Sequence, residues 1–308
     1  MNLKILQYNV QLIHEIHINS ENDLRAELIA TEIGNKYKNI DIITFCEAFT
    51  QNSRIILINN LKKYGFNFYT PVLSVSNILS NGGIFIISKH PILNYKFHVY
   101  NSTNGTDSLV EKGIVKATFM IKNNLVHIFA THLQAWGNDE NEMIRIKQLG
   151  ELQNFIDEQK FHKKDIVIVS GDFNTSLKTI IKNTKNFIFP KLTSKQKYTS
   201  DPTSNSFVGL DGGDSECSDI YYNNINNSKE NVYKKNFTYC PCCPKEMLDY
   251  IFFVSKFKKP LSSENKIINI KTSNVYKFKL WRINWLNSID FYTKDLSDHY
   301  PVLASFKF

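Results

Sequence analysis

This chain contains several short apolar runs, and each of them ends at a polar or ionisable residue. This pattern is the strongest constraint on how the chain can fold. These runs, each with its polar end residue, are 3–10 with Asn9, 40–45 with Glu47, 125–131 with His132, and 166–170 with Asp172. Apolar runs of this length, bounded by turn-forming residues, favour buried β-strands over helices. Because functional side chains commonly lie on loops that a rigid framework holds in place, we expect these polar residues to form one catalytic rim at the strand ends.

Further segments show apolar residues at helical spacing or in short strand-like runs. The predicted helices are 21–37, 51–64 and 139–159, and the additional predicted strands are 84–88, 114–121, 248–254 and 301–308. Residues 198–239 are rich in Ser, Asn, Asp and Tyr, which favours a long polar loop. Strands with helices between some of them predict an α/β architecture with two sheets.

The candidate functional residues are polar side chains at or next to the ends of predicted strands. They are Asn9, Glu47, His132, Asp172, Asn174, Asp249, Asp298 and His299. One of them, Asp249, lies at the start of its strand. Taken singly, such an Asp is typically a turn former or helix cap, and a lone His is typically a satisfied core or surface residue. Taken together, they supply the carboxylates that a hard cation such as Mg²⁺ binds. They also supply a base to activate water and donors for the charge that develops on a phosphodiester.

The chain is basic, with a net charge of +8 and a pI of about 9.0. A basic surface can attract nucleic acid, an anionic membrane or phosphorylated substrates. The lysines are scattered rather than gathered in runs, so a solvated surface without a specific charged partner is the favoured interpretation.

The chain has 5 cysteines, and three of them, Cys240, Cys242 and Cys243, lie in the run CPCCP. An odd number does not indicate a complete disulfide framework. The run lacks the second pair of ligands that a zinc site needs, so a local thiol cluster or a single disulfide is the favoured interpretation.

No apolar stretch is long enough for a transmembrane helix, and the first residues lack the apolar core and cleavage site of a signal peptide. We therefore expect a soluble or peripheral membrane protein, and the sequence leaves its compartment undetermined.

A series of motifs resembles those of the endonuclease/exonuclease/phosphatase superfamily. In chain order they read LQYNV, FCEAF, NGGIFIISKHPI, FATHLQAW, VSGDFN, LDYIFF and LSDHYPV. The resemblance spans Asn9 to Val302 and implies one catalytic domain over residues 1–308. It also implies a DNase-I-like fold, which is a four-layer α/β/β/α sandwich with two central mixed β-sheets and an active site at their rim.

Within that superfamily the chain is most similar to the neutral, magnesium-dependent sphingomyelinases. THLQAW, NGTDSLVEKGI and WRINWLNSIDFYTKDLSDHYPV resemble segments of those enzymes, and the second segment adds Asp107 and Lys112 as candidates. Cys46 departs from the pattern, since Gln or Asn commonly precedes the metal-binding Glu, and residues 198–247 match only loosely. The resemblance implies a hydrolase that cleaves a sphingomyelin-type phospholipid into ceramide and a phosphorylated head group.

The resemblance also implies a metal site. Glu47 corresponds to the main Mg²⁺ ligand, Asn9 assists it, and Asp298 lies beside the metal. Mn²⁺ or Co²⁺ are the expected substitutes for Mg²⁺.

The remaining catalytic roles follow from the same resemblance. His299 corresponds to the general base that takes a proton from the attacking water, and Asp249 orients it. Asp172 and Asn174 correspond to residues that position water and phosphate. His132 faces the phosphate from the other side and donates to it or to the leaving oxygen.

Other functions of the same fold stay open. A nuclease of the deoxyribonuclease or abasic-site type is one, and the positive net charge favours it mildly because phosphate contacts dominate nucleic-acid affinity. An inositol-phosphate phosphatase and a catalytically inactive binding protein are the others. We expect a monomer that acts on phospholipid at a membrane surface.

Two tryptophans, Trp281 and Trp285, precede the LSDHYPV motif in a segment that also carries lysine and arginine. Tryptophan is favoured where one side is apolar and the other is wet, so these residues are candidates for membrane contact. Packing of both indoles in the core is the alternative interpretation.

Overall fold

Two mixed β-sheets form the framework of the protein. The computed structural model describes residues 1–13, 21–75, 80–208, 243–280 and 289–308. In chain order the strands are β1 (Asn2–Leu12), β2 (Ile42–Ala48), β3 (Phe68–Tyr69), β4 (Phe85–Ser88), β5 (Ile92–Val99), β6 (Gly113–Ile121), β7 (Asn124–His132), β8 (Ile166–Asp172), β9 (Phe187–Ile188), β10 (Lys191–Leu192), β11 (Asp249–Val254), β12 (Ser262–Ile267), β13 (Lys271–Leu280), β14 (Ile289–Asp295) and β15 (Val302–Lys307). The helices are α1 (Asn22–Lys36), α2 (Gln51–Lys62), α3 (Asp139–Asp157) and α4 (Leu177–Asn183), with a 3-10 helix at Gly105–Leu109.

The direction of each strand determines which strand ends meet at an edge of the sheet. The 7-stranded sheet has the order β10-β12-β15-β1-β2-β4-β3, and the 6-stranded sheet has the order β5-β6-β7-β8-β11-β9. β1 and β2 are parallel, and so are β7 and β8, whereas β11 runs antiparallel to β8. A separate antiparallel hairpin pairs β13 with β14. The C-terminal ends of the parallel strands therefore meet the start of β11 within the 6-stranded sheet, and the ends of β1 and β2 meet each other in the other sheet.

The two sheets pack face to face, and helices cover their outer faces. Leu3 and Ile5 of β1 lie in the core between the sheets with Ile168 of β8, whereas Leu6 of β1 packs with Ile29 of α1 on the other face. A further core cluster joins the outer face of the 6-stranded sheet to α3 and α4. Because successive side chains of a strand point to opposite faces, one strand contributes to two cores.

The predicted α/β class and the four-layer sandwich with two central mixed sheets are confirmed. The helix predicted over 139–159 is α3, and the strand predicted over 40–45 is β2. One boundary prediction is wrong, because Asn9 does not end the first strand. β1 continues to Leu12, after a register shift between Asn9 and Leu12.

Several strands were not predicted from the apolar pattern. β5, with the sequence ILNYKFHV, is largely exposed, and β12, with the sequence SSENKI, is largely polar. β5 alternates apolar Tyr95, Phe97 and Val99 with polar residues, a pattern that sequence reasoning missed, whereas β12 shows no clear apolar alternation and is fixed by its neighbouring strands. Of the polar loop predicted over 198–239, the structure describes residues up to 208, and the rest lies outside the described residues.

Candidate active site

The inward-facing side of the central strands changes from apolar to polar toward one edge of the sandwich. Along β1 this side carries Leu3, Ile5, Gln7 and Asn9, and along β8 it carries Ile166, Ile168, Ser170 and Asp172. Asp249 begins β11 and pairs with Asp172, because the two strands are antiparallel. A residue at the start of one strand therefore meets residues at the ends of others, and this polar edge is the candidate active site.

A layer of buried polar side chains separates this edge from the apolar core. Thr44 Oγ1 donates to Gln7 Oε1 at 2.6 Å and lies 2.7 Å from Ser170 Oγ. Gln7 Nε2 donates to Asp249 Oδ1 at 3.3 Å, and the Cys46 thiol donates to the carbonyl of Thr131 at 3.3 Å. Buried polar groups need such partners, so the network holds the floor of the site in one arrangement.

Cys46 replaces an amide in the family pattern, and the structure shows why it is not a reactive thiol. It is fully buried, and burial raises the pKa of Cys46 well above its ordinary value. A thiol kept protonated in this way is a poor nucleophile and a poor metal ligand.

Asn9 connects two carboxylates at the centre of the site. Its Nδ2 donates to Glu47 Oε1 and to Asp172 Oδ2, both at 2.9 Å, while its Oδ1 accepts from the backbone N–H of Gln11 at 3.1 Å. In this orientation the amide nitrogen faces the carboxylates. As a metal ligand, the role predicted for it, Asn9 would present Oδ1 after reversal of its amide.

The carboxylates of this cluster are held close together with little solvent. Burial raises the pKa of Glu47 to about 8, and the nearby Asp298 carboxylate adds to this effect. Burial and the Asp249 carboxylate raise the pKa of Asp172 to about 6. Glu47 keeps 21% of its side-chain surface exposed, so the cluster can be reached from solvent.

The backbone around Glu47 is held in an unusual conformation. Glu47 has a φ of 57°, a region that side-chain-bearing residues rarely adopt. Gly83 lies directly against it, since a Cβ on Gly83 would come within 3.1 Å of Glu47 Cα. Asn81 accepts from the N–H of Gly83 at 2.9 Å and donates to the carbonyl of Phe49 at 3.0 Å. The NGG motif thus allows the close approach that directs Glu47 into the site.

His299 and Asp249 form a buried pair opposite the Glu47 cluster. His299 Nδ1 lies 2.7 Å from Asp249 Oδ2 and 3.9 Å from Asp172 Oδ2. Burial alone would lower the pKa of His299, but the carboxylates of Asp249, Asp298 and Asp172 outweigh it and raise the pKa well above its ordinary value. Since a carboxylate occupies Nδ1, Nε2 is the nitrogen that can exchange a proton.

His132 faces the carboxylates, and Lys112 faces His132. His132 Nε2 lies 3.8 Å from Glu47 Oε1, 3.7 Å from Asp172 Oδ2 and 3.0 Å from Lys112 Nζ. Lys112 Nζ also donates to the carbonyl of Leu133 at 2.8 Å. Burial, Lys112 and His299 lower the pKa of His132 well below its ordinary value. Neutral His132 therefore accepts from Lys112 here, whereas the sequence predicts it as a donor to the phosphate.

The other predicted residues belong to the same group. Asn174 donates its N–H to Asp172 Oδ1 at 3.0 Å and its Nδ2 to the carbonyl of Leu133 at 3.1 Å. Asp298 accepts from Gln11 Nε2 at 3.0 Å, and Ser297 Oγ donates to the carbonyl of Asn9 at 2.7 Å. All eight predicted catalytic and metal-binding residues therefore lie in one connected cluster.

Sequence reasoning missed the residues that support this cluster, chiefly Gln7, Gln11 and Arg25. Arg25 of α1 is fully buried, and its guanidinium donates to the carbonyls of Gln11, at 3.0 Å, and of Leu296, at 3.1 Å. A signal was present, because Arg25 shares helical spacing with Ile29 and Ile33 and so falls on the apolar face of the predicted helix.

Other predictions fall where the structure gives no description. Trp281 and Trp285 lie outside the described residues, and so do Cys240 and Cys242. Among the helices of the described residues, none is long and apolar enough to cross a membrane.

The donor atoms of the site suit a hard divalent cation. Among the described residues, the groups able to hold a metal are Glu47 with His132 and Asp172, and Asp172 with Asp249 and His299. Carboxylate oxygens dominate both groups, as Mg²⁺ prefers. Burial, with the neighbouring carboxylates, raises the pKa values of Glu47 and Asp172, and a cation beside them would favour their ionised forms.

Comparison with known proteins places this geometry in context. The profile of the Endonuclease/Exonuclease/phosphatase family matches residues 6–299. Sphingomyelinase C from Listeria ivanovii is 28% identical over 326 residues, covering 98% of this chain and 86% of the relative. Sphingomyelinase C from Bacillus cereus is 29% identical over 324 residues, covering 98% of this chain and 88% of the relative.

Solved structures give the same result. The crystal structure of SmcL superimposes with a TM-score of 0.78 at 27% identity, covering 100% of this chain and 99% of the other. A mutant beta toxin from Staphylococcus aureus with bound magnesium ions superimposes with a TM-score of 0.79 at 26% identity, covering 100% of both chains. The predicted resemblance is confirmed.

Proposed function

The chain belongs to the endonuclease/exonuclease/phosphatase family, and we propose that it is a Mg²⁺-dependent enzyme that hydrolyses sphingomyelin-type phospholipid to ceramide and a phosphorylated head group. It is a hydrolase of phosphodiester bonds, as its family and its sphingomyelinase C relatives indicate. The observation that carries the proposal is the buried His299–Asp249 pair, at 2.7 Å, facing an acidic cluster that is open to solvent at Glu47.

Glu47 is the proposed principal ligand of the cation, with Asp298 and Asn9 beside it. Bound there, Mg²⁺ would draw the phosphate oxygens toward the site and neutralise charge that develops on them. A magnesium-bound beta toxin structure supports the identity of the cation. Substitution by Mn²⁺ or Co²⁺ stays a prediction.

His299 is the proposed general base. A cation beside Asp298 and Asp172 would offset the carboxylate charges that raise the pKa of His299, which would free Nε2 of its proton. Nε2 then takes a proton from water, and the resulting hydroxide attacks phosphorus as the bond from phosphorus to the ceramide oxygen breaks. Asp249 holds the ring through Nδ1 and stabilises the imidazolium that forms. Asp172 and Asn174, joined by a 3.0 Å hydrogen bond, are the proposed groups that position water and phosphate.

Lys112 and His132 are proposed to act on the phosphate as one unit. Lys112 Nζ lies 3.0 Å from His132 Nε2. In this arrangement Lys112 supplies positive charge on one side of His132, and the phosphate would bind on the other side. A phosphodiester anion bound beside them would raise the pKa of His132, which favours the form able to donate to the leaving oxygen.

The lipid substrate is inferred from the relatives, whose names are sphingomyelinase C and phospholipase C. We propose peripheral contact with the membrane, in which Trp281 and Trp285 take part, and a monomeric enzyme. A nuclease remains the alternative because of the net charge of +8.

One assay tests the proposal. Purified protein is incubated with sphingomyelin vesicles, phosphatidylcholine vesicles or plasmid DNA, with Mg²⁺ or with EDTA, and phosphocholine or nicked DNA is measured. We expect the wild type to release phosphocholine from sphingomyelin in Mg²⁺ but not in EDTA. The variant His299→Ala should release none. Cleavage of DNA without attack on either lipid would replace the lipid assignment by a nuclease. Full activity in EDTA would exclude the metal role.

A further inference from the structure

Three exposed apolar side chains lie in segments that adjoin the candidate active site. Val75, Leu109 and Trp136, here called the apolar rim, have 64%, 50% and 48% of their surface exposed. Val75 lies after β3, Leu109 ends the 3-10 helix, and Trp136 lies between β7 and α3. They come from three separate segments of the chain, so their proximity is a property of the fold.

Buried carboxylates connect the three segments. Asp107 Oδ2 accepts from the backbone N–H of Ala135, the residue before Trp136, at 2.6 Å. Glu111 Oε2 accepts from the backbone N–H of Val75 at 2.8 Å. Both carboxylates are buried, and each lies within two residues of Leu109 in the chain. The buried carboxylates therefore tie the three segments that carry the apolar rim to one another.

The same anchors reach the catalytic cluster. Lys112 Nζ lies 3.0 Å from Asp107 Oδ2 and 3.0 Å from His132 Nε2. A single buried cation thus contacts both the carboxylate that holds the Trp136 segment and the histidine that faces the metal site. Whatever the apolar rim binds is held at a fixed position relative to the scissile phosphate.

The backbone presents Trp136 outward at a conformational cost. Its φ is 66°, which bulky residues rarely adopt, and its carbonyl accepts from Arg145 Nη1 at 2.8 Å. Arg145 also donates to the carbonyl of Gln134 at 3.0 Å. The loop is therefore held by hydrogen bonds while its indole stays half exposed.

We propose that the apolar rim is a membrane-docking surface, which enters the interface of a phospholipid bilayer beside the head group being cleaved. This inference rests on the proposed phospholipid substrate. Tryptophan and aliphatic side chains favour the boundary between head groups and acyl chains. The rim side chains are apolar, and the exposed charged residues that follow Trp136, Asp139 and Glu140, are acidic, so docking needs no anionic lipid and tolerates salt.

The residues of the apolar rim lie in other parts of the sequence than Trp281 and Trp285. The apolar rim is joined to β6 and β7 of the 6-stranded sheet through Lys112 and Ala135. The two sites can therefore be tested separately.

The test compares a rim variant with a matched control. The rim variant is Val75→Ser, Leu109→Ser and Trp136→Ser combined. The control is Leu261→Ser with Met120→Ser, which removes apolar side chains that are 80% and 47% exposed near the strand ends farthest from the site. Sedimentation with sphingomyelin–phosphatidylcholine vesicles, in low and high salt, gives binding. Hydrolysis of vesicles and of a water-soluble choline phosphodiester gives activity.

We expect the rim variant to bind vesicles at least about tenfold more weakly at both salt concentrations, because the apolar area that enters the bilayer is lost. Hydrolysis of vesicles should fall in parallel, while hydrolysis of the soluble ester and the melting temperature stay unchanged. The control should behave as wild type throughout. Unchanged vesicle binding, or equal losses on both substrates, overturns the docking role.

A fluorescence measurement separates this inference from the proposed substrate. The chain has 3 tryptophans, so Trp281→Phe with Trp285→Phe leaves Trp136 as the reporter. Vesicles should shift its emission to shorter wavelength, and an unchanged spectrum contradicts the inference. A blue shift without any lipid hydrolysis would retain the docking surface and reject the sphingomyelinase activity.

Discussion

His299 Nδ1 and Asp249 Oδ2 lie 2.7 Å apart, although 50 positions separate the two residues in the sequence. The contact forms because the antiparallel pairing of β11 with β8 brings Asp249 level with Asp172, beside the loop that precedes β15. The two residues lie in separate motifs, LDYIFF and LSDHYPV, and the fold brings them together. Their pairing fixes the orientation of the His299 ring, as its proposed role as a base requires.

Replacing either member of this pair should reveal a single catalytic unit. His299→Ala should lower kcat by about 10²- to 10⁴-fold, as loss of a general base does. Asp249→Asn should cause a smaller but large loss, because the ring loses its orientation. The double variant should be little slower than His299→Ala, since members of one unit are non-additive. Losses that multiply would show that the two residues act independently.

Metal binding should depend on pH through Glu47. Its pKa is raised to about 8, so the folded, metal-free protein holds a proton there that the unfolded chain has released. The stability of the metal-free protein should therefore fall as the pH rises from the ordinary pKa of a glutamate, about 4.5, toward 8. Mg²⁺ displaces this proton, so the increase in Tm on adding Mg²⁺ should be larger at pH 8 than at pH 6.

The variant Glu47→Gln provides the comparison. It removes the titrating group while retaining the shape of the side chain. Melting curves of the wild type and the variant, at matched Mg²⁺ concentrations across this pH range, check the prediction. If the variant gains as much from Mg²⁺ as the wild type does, Glu47 is not the principal ligand.

The sequence predicts the site better than it predicts the residues that support it. Asn9, Glu47, Asp172 and His299 lie in short motifs whose order indicates the family, and each lies within, directly after or just before an apolar run. The two central sheets follow from the same runs. These features are local, which is why one sequence is enough to find them.

The supporting residues depend on contacts that no local pattern encodes. Gln7 is one of several polar residues in the first run. Its hydrogen bond to Thr44 needs β1 to pair with β2, and its hydrogen bond to Asp249 forms only when the two sheets meet. Asn9 illustrates the same limit, since the bulge that follows it arises in the pairing of β1 with β2. Polar strands such as β12 are likewise fixed by their neighbours rather than by their own sequence.

Loss of the Lys112 cation should disable the phosphate side of the site. Lys112→Met keeps much of the buried stem but removes the group that contacts Asp107, at 3.0 Å, and His132, at 3.0 Å. We expect turnover of a soluble phosphodiester to fall by about 10²-fold or more, as removal of one charge-stabilising donor does. The control Lys116→Met removes a buried lysine that lies over the Phe161 ring instead. Equal turnover in the two variants would exclude a role for Lys112 at the phosphate.

Arg25 should control the metal site without touching it. Its guanidinium donates to the carbonyls of Gln11 and Leu296, and Gln11 has a φ of 48° and donates to Asp298 at 3.0 Å. Arg25→Met leaves these buried carbonyls without their donor, which should cost about 3 kcal/mol of unfolding free energy. Since the freed backbone also holds Asp298, the affinity for Mg²⁺ should fall as well. Gln11→Leu separates the two effects, because it removes only the contact with Asp298 and should weaken Mg²⁺ binding with a smaller loss of stability. Calorimetric titration of Mg²⁺ and chemical denaturation measure the two quantities. If Arg25→Met lowers stability but both variants bind Mg²⁺ as the wild type does, the arginine supports the fold alone.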